Sequence, residues 1–292
     1  MNPDTLRAAL WMGGSIASFT TMAIGGREVA GALDTFEIML YRSVTGFVVI
    51  VAAILLTGRR HEITTRNLPL QVLRNATHFT GQNLWFLAIA LAPLAQVFAL
   101  EFTSPLWVLL LAPLILGEHV RRVQILVAII GFGGVLLVAQ PFAATPSPGL
   151  LWAGLAAVAF AITNLFTRRL TRDETVLGIM FWLTALQLLM GLVCAGFDGD
   201  IAWPGPTLLP WTFAIGLAGL SAHFCLTNAL RLAPASTVMP IDFARLPIIA
   251  IVGALLYAEA LDPLVLLGGG VILGSAWANL RLARPAALPA ST

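Results

Sequence analysis

Ten apolar stretches, at 8–26, 35–57, 69–91, 94–116, 123–140, 149–167, 176–197, 209–231, 235–257 and 264–283, occupy nearly the whole chain. Each approaches the ~20 residues that a helix needs to cross about 30 Å of hydrocarbon. Lipid offers an exposed peptide group no partner, so runs of this length must be helical. The short connections leave no room for a soluble domain. Only 10% of the 292 residues are charged, against about a quarter in soluble domains. The expected fold class is an all-α membrane protein with ten transmembrane helices.

The first run has Arg7 before it and Ala30-Gly31-Ala32 after it, the outline of a cleaved signal peptide. At about 19 residues it is long enough to span, and it has a partner later in the chain, so it is read as a retained helix.

All 16 basic residues are arginines, and their positions set an orientation. With the N-terminus inside, the cytoplasmic segments hold Arg7, Arg59, Arg60, Arg66, Arg74, Arg121, Arg122, Arg168, Arg169, Arg172, Arg231, Arg281 and Arg284, and the other side holds Arg27 alone. Arg42 and Arg245 fall within spans. This bias follows the positive-inside rule, and an even number of spans returns the C-terminus to the cytoplasm. Short basic loops between apolar runs are membrane signals, so the net charge of +2 does not imply nucleic acid. The expected setting is the bacterial inner membrane.

A shift of 141 (152 − 11) superimposes the two halves without a gap. Trp11 falls on Trp152, Phe19 on Phe160, Arg27 on Arg168 and Met39 on Met180. Leu91-Ala92-Pro93 falls on Leu232-Ala233-Pro234, Glu101-Phe102 on Asp242-Phe243, and Glu118 on Glu259. Chance matches between apolar sequences are common at Leu and Ala but not at Trp, Pro and acidic positions. The halves divide as 1–145 and 146–292, with five spans each. An odd number of spans forces the second half to enter from the opposite face, a 5+5 inverted-topology repeat of the kind that builds secondary carriers around a midplane site.

These halves, with their Ala-Pro hairpins at 92–93 and 233–234 and their Gly117-Glu118 and Ala258-Glu259 helix ends, resemble the drug/metabolite transporter superfamily. Within it the chain is similar to the ten-helix bacterial metabolite exporters, the aromatic amino-acid exporter among them. The resemblance implies an inner-membrane carrier with cytoplasmic termini and a cavity between the halves.

Ionisable groups inside spans cost roughly 2.5–3.5 kcal/mol each on insertion scales, so each calls for a function or a partner. Glu101, Asp242 and Arg245 lie deep in their spans, as does Arg42. Asp242 and Arg245, at i,i+3, can pair on one helix; Glu101 has no such neighbour and is a candidate proton site or amine ligand. The third span carries a polar stripe of Gln71, Asn75, His78, Gln82 and Trp85 at helical spacing. Gln82 maps onto His223 in the eighth span. His78 and His223 can titrate near neutral pH, His78 being the second coupling candidate, or they can simply pack. Asn164 has the same two readings. Trp85, Trp107 and Trp182 lie deep enough to line an apolar pocket. Trp11, Trp152, Trp203, Trp211 and Trp277 suit the interfacial belt. Pro105, Pro240 and Pro247 should interrupt the fourth and ninth spans beside the charged residues, freeing backbone groups that only a protein- or water-lined cavity can satisfy. Glycines of the fifth and tenth spans, Gly131, Gly133, Gly134, Gly268, Gly269, Gly270 and Gly274, serve as scaffold or as a homodimer face.

The candidate substrate site is thus His78, Gln82, Trp85, Glu101, Trp107, Asn164, Trp182, His223, Asp242 and Arg245. A core with both charge signs suits a zwitterion, so the leading expectation is an exporter of small amphipathic metabolites, amino acids first, by alternating access. A multidrug or nucleotide-derivative carrier is the alternative. An intramembrane enzyme ranks lower, because no His-Glu-x-x-His, Gly-x-Ser-x-Gly or P-loop pattern occurs. No cofactor or metal is implied; the two cysteines, Cys194 and Cys225, lie in apolar stretches.

Overall fold

The computed structural model describes residues 3–29, 31–92, 94–139, 149–197, 199–257 and 263–282. Ala30, Pro93, Ala258, Glu259, Arg284 and the boundary between 145 and 146 lie outside the described residues. The helices are α1 (Pro3–Val29), α2 (Thr35–Thr57), α3 (Leu68–Leu91), α4 (Leu94–Glu101), α5 (Ser104–Leu116), α6 (Arg122–Ala139), α7 (Gly149–Leu170), α8 (Val176–Ala195), α9 (Leu209–Leu232), α10 (Ala235–Val238), α11 (Arg245–Tyr257) and α12 (Pro263–Leu282). No β-strand occurs among the described residues. Among the described residues, four helices, α2, α7, α8 and α9, are long and apolar enough to cross a membrane.

Local chemistry sets the boundaries. Asp34 and Glu37 close a capping box at the start of α2, each side chain accepting the other's backbone N–H at 2.8 Å. Gly58, at φ 67°, ends that helix in the left-handed conformation a β-carbon would disfavour. The two interrupted spans break at their prolines. Pro105 sits in the first turn of α5, just past the Phe102-Thr103 turn that separates it from α4. Between α10 and α11 the chain tightens into a 3-10 turn, Met239–Ala244, which holds Pro240 and Asp242. A proline removes an N–H and crowds the carbonyl four residues back, so both breaks fall beside the acidic side chains.

The dominant packings are reciprocal: α1 lies on α9 and α3 on α7, while α2 lies on α8 and α6 on α12. The surface is inverted relative to a soluble protein. Leu56 (87%) and Leu114 (81%) are exposed, whereas the whole polar stripe of α3, Gln71 to Trp85, is buried. Arg74, counted above among the cytoplasmic arginines, is instead buried within the bundle at 1% exposure.

The glycines of the fifth and tenth spans work inside the chain. A β-carbon on Gly134 would stand 2.8 Å from the Gly268 carbonyl oxygen, so α6 and α12 touch backbone to backbone. Gly133, Gly270 and Gly274 of that set face open space.

Candidate functional site

The break between α4 and α5 and the 3-10 turn before α11 bring Glu101, Asp242 and Arg245 together. The Arg245 guanidinium donates to Glu101 Oε1 and, at 3.1 Å, to Asp242 Oδ2. Glu101 Oε2 accepts the Trp85 indole N–H at 2.6 Å. Glu101 has no pairing of the i,i+3 kind among the described residues of its own helix, but Arg245 reaches it from 144 residues away. The Arg245 guanidinium is also held by aromatic faces, 5.3 Å from the Phe19 ring centre and 5.1 Å from that of Phe102. Two carboxylates share one guanidinium, leaving the triad one negative charge.

A cavity of about 720 Å³, counting its opening, adjoins this triad. Its walls include His78, Gln82, Trp85, Glu101, Asn164, His223, Asp242 and Arg245, eight of the ten residues singled out from the sequence. His78 and His223 meet edge to face with ring centres 4.6 Å apart, and Phe19 stands 5.4 Å from His223. The remaining two tryptophans lie elsewhere. Trp107 is 39% exposed, and Trp182 gives its indole N–H to the Thr64 carbonyl at 2.8 Å, tying α8 to the loop before α3.

The other lining residues escaped notice: Met12, Phe19, Met22, Ser104, Phe160, Thr163, Leu226 and Met239. The repeat register was the signal for most of them. Under the shift of 141 (152 − 11), Phe19 pairs with Phe160, Met22 with Thr163, Gln82 with His223, Trp85 with Leu226, Glu101 with Asp242 and Ser104 with Arg245. Twelve of the sixteen lining residues therefore form six mate pairs across the two halves.

Several polar atoms of these walls are buried without a hydrogen-bond partner among the described residues: Asp242 Oδ1, Arg245 Nε, Gln82 Oε1, Ser104 Oγ, His78 Nδ1 and both His223 nitrogens. Buried polar atoms are normally satisfied. A cluster of unmet ones around an open volume is what a polar guest, or water in its place, would meet. Asp242 offers a spare acceptor and Arg245 a spare donor, three residues apart.

A model of the EamA-like transporter family matches residues 6–140 and, separately, 147–281. The chain belongs to the EamA-like transporter family. Relatives of this EamA-like transporter include an S-adenosylmethionine uptake transporter of Rickettsia bellii, 24% identical over 90% of this chain and 89% of the relative. A pseudopaline exporter of Pseudomonas aeruginosa is 26% identical over 88% and 91%. A riboflavin transporter of Rhizobium johnstonii is 32% identical over 67% and 64%. A crystal structure of another protein superimposes with a TM-score of 0.81 at 21% identity, covering 95% of this chain and 97% of that one, which establishes a shared fold. The chain is thus a membrane transporter of a family whose members move metabolites. None of these three relatives is an amino-acid exporter by name, and the likeness to the aromatic amino-acid exporter in particular finds no support among them.

Proposed function

We propose that this chain is a secondary carrier of the bacterial inner membrane that moves a small amphipathic metabolite by alternating access. Its two five-span halves, 1–145 and 146–292, are inverted with respect to each other, and both termini are cytoplasmic. The observation that carries this reading is the mate pairing of the cavity walls, since a site on the repeat axis is lined by equivalent positions from both halves. The reciprocal packing of α1 on α9 and α3 on α7 supports it, as does the double match to the family model.

The substrate combines an aromatic or apolar body with a head that bears both charges. Phe19, Trp85 and Phe160 supply the ring surface, Arg245 Nε would take the carboxylate, and Asp242 Oδ1 the amine. An amino acid fits this description. So does S-adenosylmethionine, the compound named for the Rickettsia relatives, which joins an aromatic base to an amino-acid head. Glu101 and His78 are the coupling candidates, because both face the cavity and can gain a proton. Among the relatives are an uptake carrier and an exporter, so the direction of net movement is set by gradients rather than read from the name.

The test is counterflow in proteoliposomes, with labelled phenylalanine, S-adenosylmethionine and riboflavin, with and without a pH gradient. Saturable counterflow of one zwitterion, lost in Asp242→Asn, is expected. Riboflavin counterflow unaffected by Asp242→Asn would refute the zwitterion site, and leakage with no saturable component for any of the three would refute the carrier reading.

A further inference from the structure

Arg42, on α2, is 6% exposed, and its only hydrogen-bond partner among the described residues is the Met39 sulfur at 3.4 Å. Arg74, on α3, is 1% exposed and donates to Thr167 Oγ1 at 3.1 Å and to Asn75 Oδ1 at 3.2 Å. Neither forms an ion pair with a carboxylate among the described residues, unlike Arg245 with its two and Arg168 with Glu118. Asn75, whose side chain accepts from Arg74, accepts through its backbone from Gln187, which lines the same pocket as Arg42. Such a concentration of unneutralised positive charge inside a helix bundle is costly.

Arg42 faces a shallow pocket between α2, α8 and α9, about 250 Å³ counting its open mouth, separate from the one around Arg245 and shared with Ser43, Thr184 and Gln187. Gln187 is fixed by the Asn75 carbonyl oxygen, which accepts from its Nε2 at 2.9 Å, and its buried Oε1 has no hydrogen-bond partner among the described residues. A β-carbon on Gly219 would stand 2.5 Å from Arg42 Nε, so the guanidinium lies across bare α9 backbone and is held where it is by the missing side chain. A rigidly placed guanidinium keeps four of its five N–H donors for a planar or tetrahedral oxyanion.

We propose that the Arg42 pocket is a second binding site, one for an oxyanion of the carboxylate or phosphate class. The guanidinium binds the oxygens, the charge of Arg74 adds to the positive potential, and Gln187 Oε1 accepts an O–H of the ligand where it has one. The monoanion of phosphate, or of a phosphate monoester, supplies both kinds of group. The proposal concerns binding alone and stands whether or not the chain carries the zwitterion described above.

The experiment titrates wild-type protein, in phosphatidylcholine nanodiscs, with inorganic phosphate and with glycerol 3-phosphate, reading affinity by calorimetry and melting temperature in parallel. Two variants accompany it, Arg42→Met and Gly219→Ala. Without anion, Arg42→Met should melt at or above the wild-type temperature, since it removes an unpaired charge. Its affinity for the anion should fall by about 10-fold or more, the value of a charge-assisted contact. Gly219→Ala keeps the charge but displaces the guanidinium, and should weaken binding as well. Tighter binding of inorganic phosphate assigns the pocket to a free ion; tighter binding of glycerol 3-phosphate assigns it to the anionic group of an organic molecule. Absence of binding by either in the wild type, or equal binding by Arg42→Met, overturns the proposal.

Discussion

Removing Arg245 should harm this protein more than removing either acid that it serves. In Arg245→Met the side-chain volume is roughly kept, but Glu101 and Asp242 are left facing each other in a largely buried site, with only the Trp85 indole still donating to Glu101. Stranding buried charge by deleting its partner costs about 3–5 kcal/mol. Glu101→Gln is milder, because Arg245 keeps Asp242 and the glutamine oxygen can still accept from Trp85; the loss is one charge-assisted hydrogen bond, about 1.5–3 kcal/mol. At about 2 °C or more per kcal/mol for a domain of this size, Arg245→Met should lower the melting temperature by roughly 6–10 °C.

The triple variant Glu101→Gln, Asp242→Asn, Arg245→Met carries no charge at the site and should recover most of that loss. The double Asp242→Asn, Arg245→Met should not, because it strands Glu101. Were Asp242 and Arg245 a closed pair, one of the two readings that the sequence offers, their joint removal would be harmless; the third member makes that false. Differential scanning fluorimetry on purified variants in one detergent measures the series. If Arg245→Met melts no lower than Glu101→Gln, or the triple no higher than Arg245→Met, the shared guanidinium is not what holds the two halves together here.

Topology reporters should place the 57–68 loop in the cytoplasm and the 198–208 loop outside; a cytoplasmic signal at 198–208 breaks the inverted arrangement. Glu101→Gln should lose uphill flux driven by a pH gradient while retaining substrate exchange, and unchanged driven flux at normal expression would leave Glu101 a purely structural residue. Gly134→Ala, whose β-carbon meets the Gly268 carbonyl, should cost about 1–3 kcal/mol as α6 and α12 are forced apart, whereas Gly133→Ala, facing open space, should change melting little.

The features legible in the sequence were those with a one-dimensional signature. Apolar length marked out the helices, the prolines at 105, 240 and 247 marked where two of them break, and the helical spacing of Gln71 to Trp85 marked a buried face. What stayed hidden depends on helices meeting at a distance in sequence. Arg74 looked like a flanking cytoplasmic charge because it lies within the first two turns of α3; only the packing of α3 on α7 delivers Thr167 to it and closes it from water. Trp182 and Trp107 were misplaced for the converse reason, since depth along a helix says nothing about which side of it faces the cavity. Glu101 looked solitary because its cation comes from 144 residues away.

The six mate pairs of the cavity agree in position yet mostly differ in chemistry. Phe19 and Phe160 match, and Glu101 and Asp242 share a sign, but Ser104 faces the register of Arg245, Gln82 that of His223, and Trp85 that of Leu226. This division is what an alternating carrier needs. Two interconverting states require that the halves share a backbone framework, and the Pro and Trp positions matched above preserve it. Binding requires the opposite, an asymmetric surface, because a zwitterion has two unlike ends. An arginine at both 104 and 245 would pair off against Glu101 and Asp242 and leave no net charge. With arginine on one side alone, two acids compete for one cation, and the cavity keeps an acceptor and a donor unspent for the guest. On the carrier reading proposed above, the duplication would supply the motion, and the departures from it the recognition.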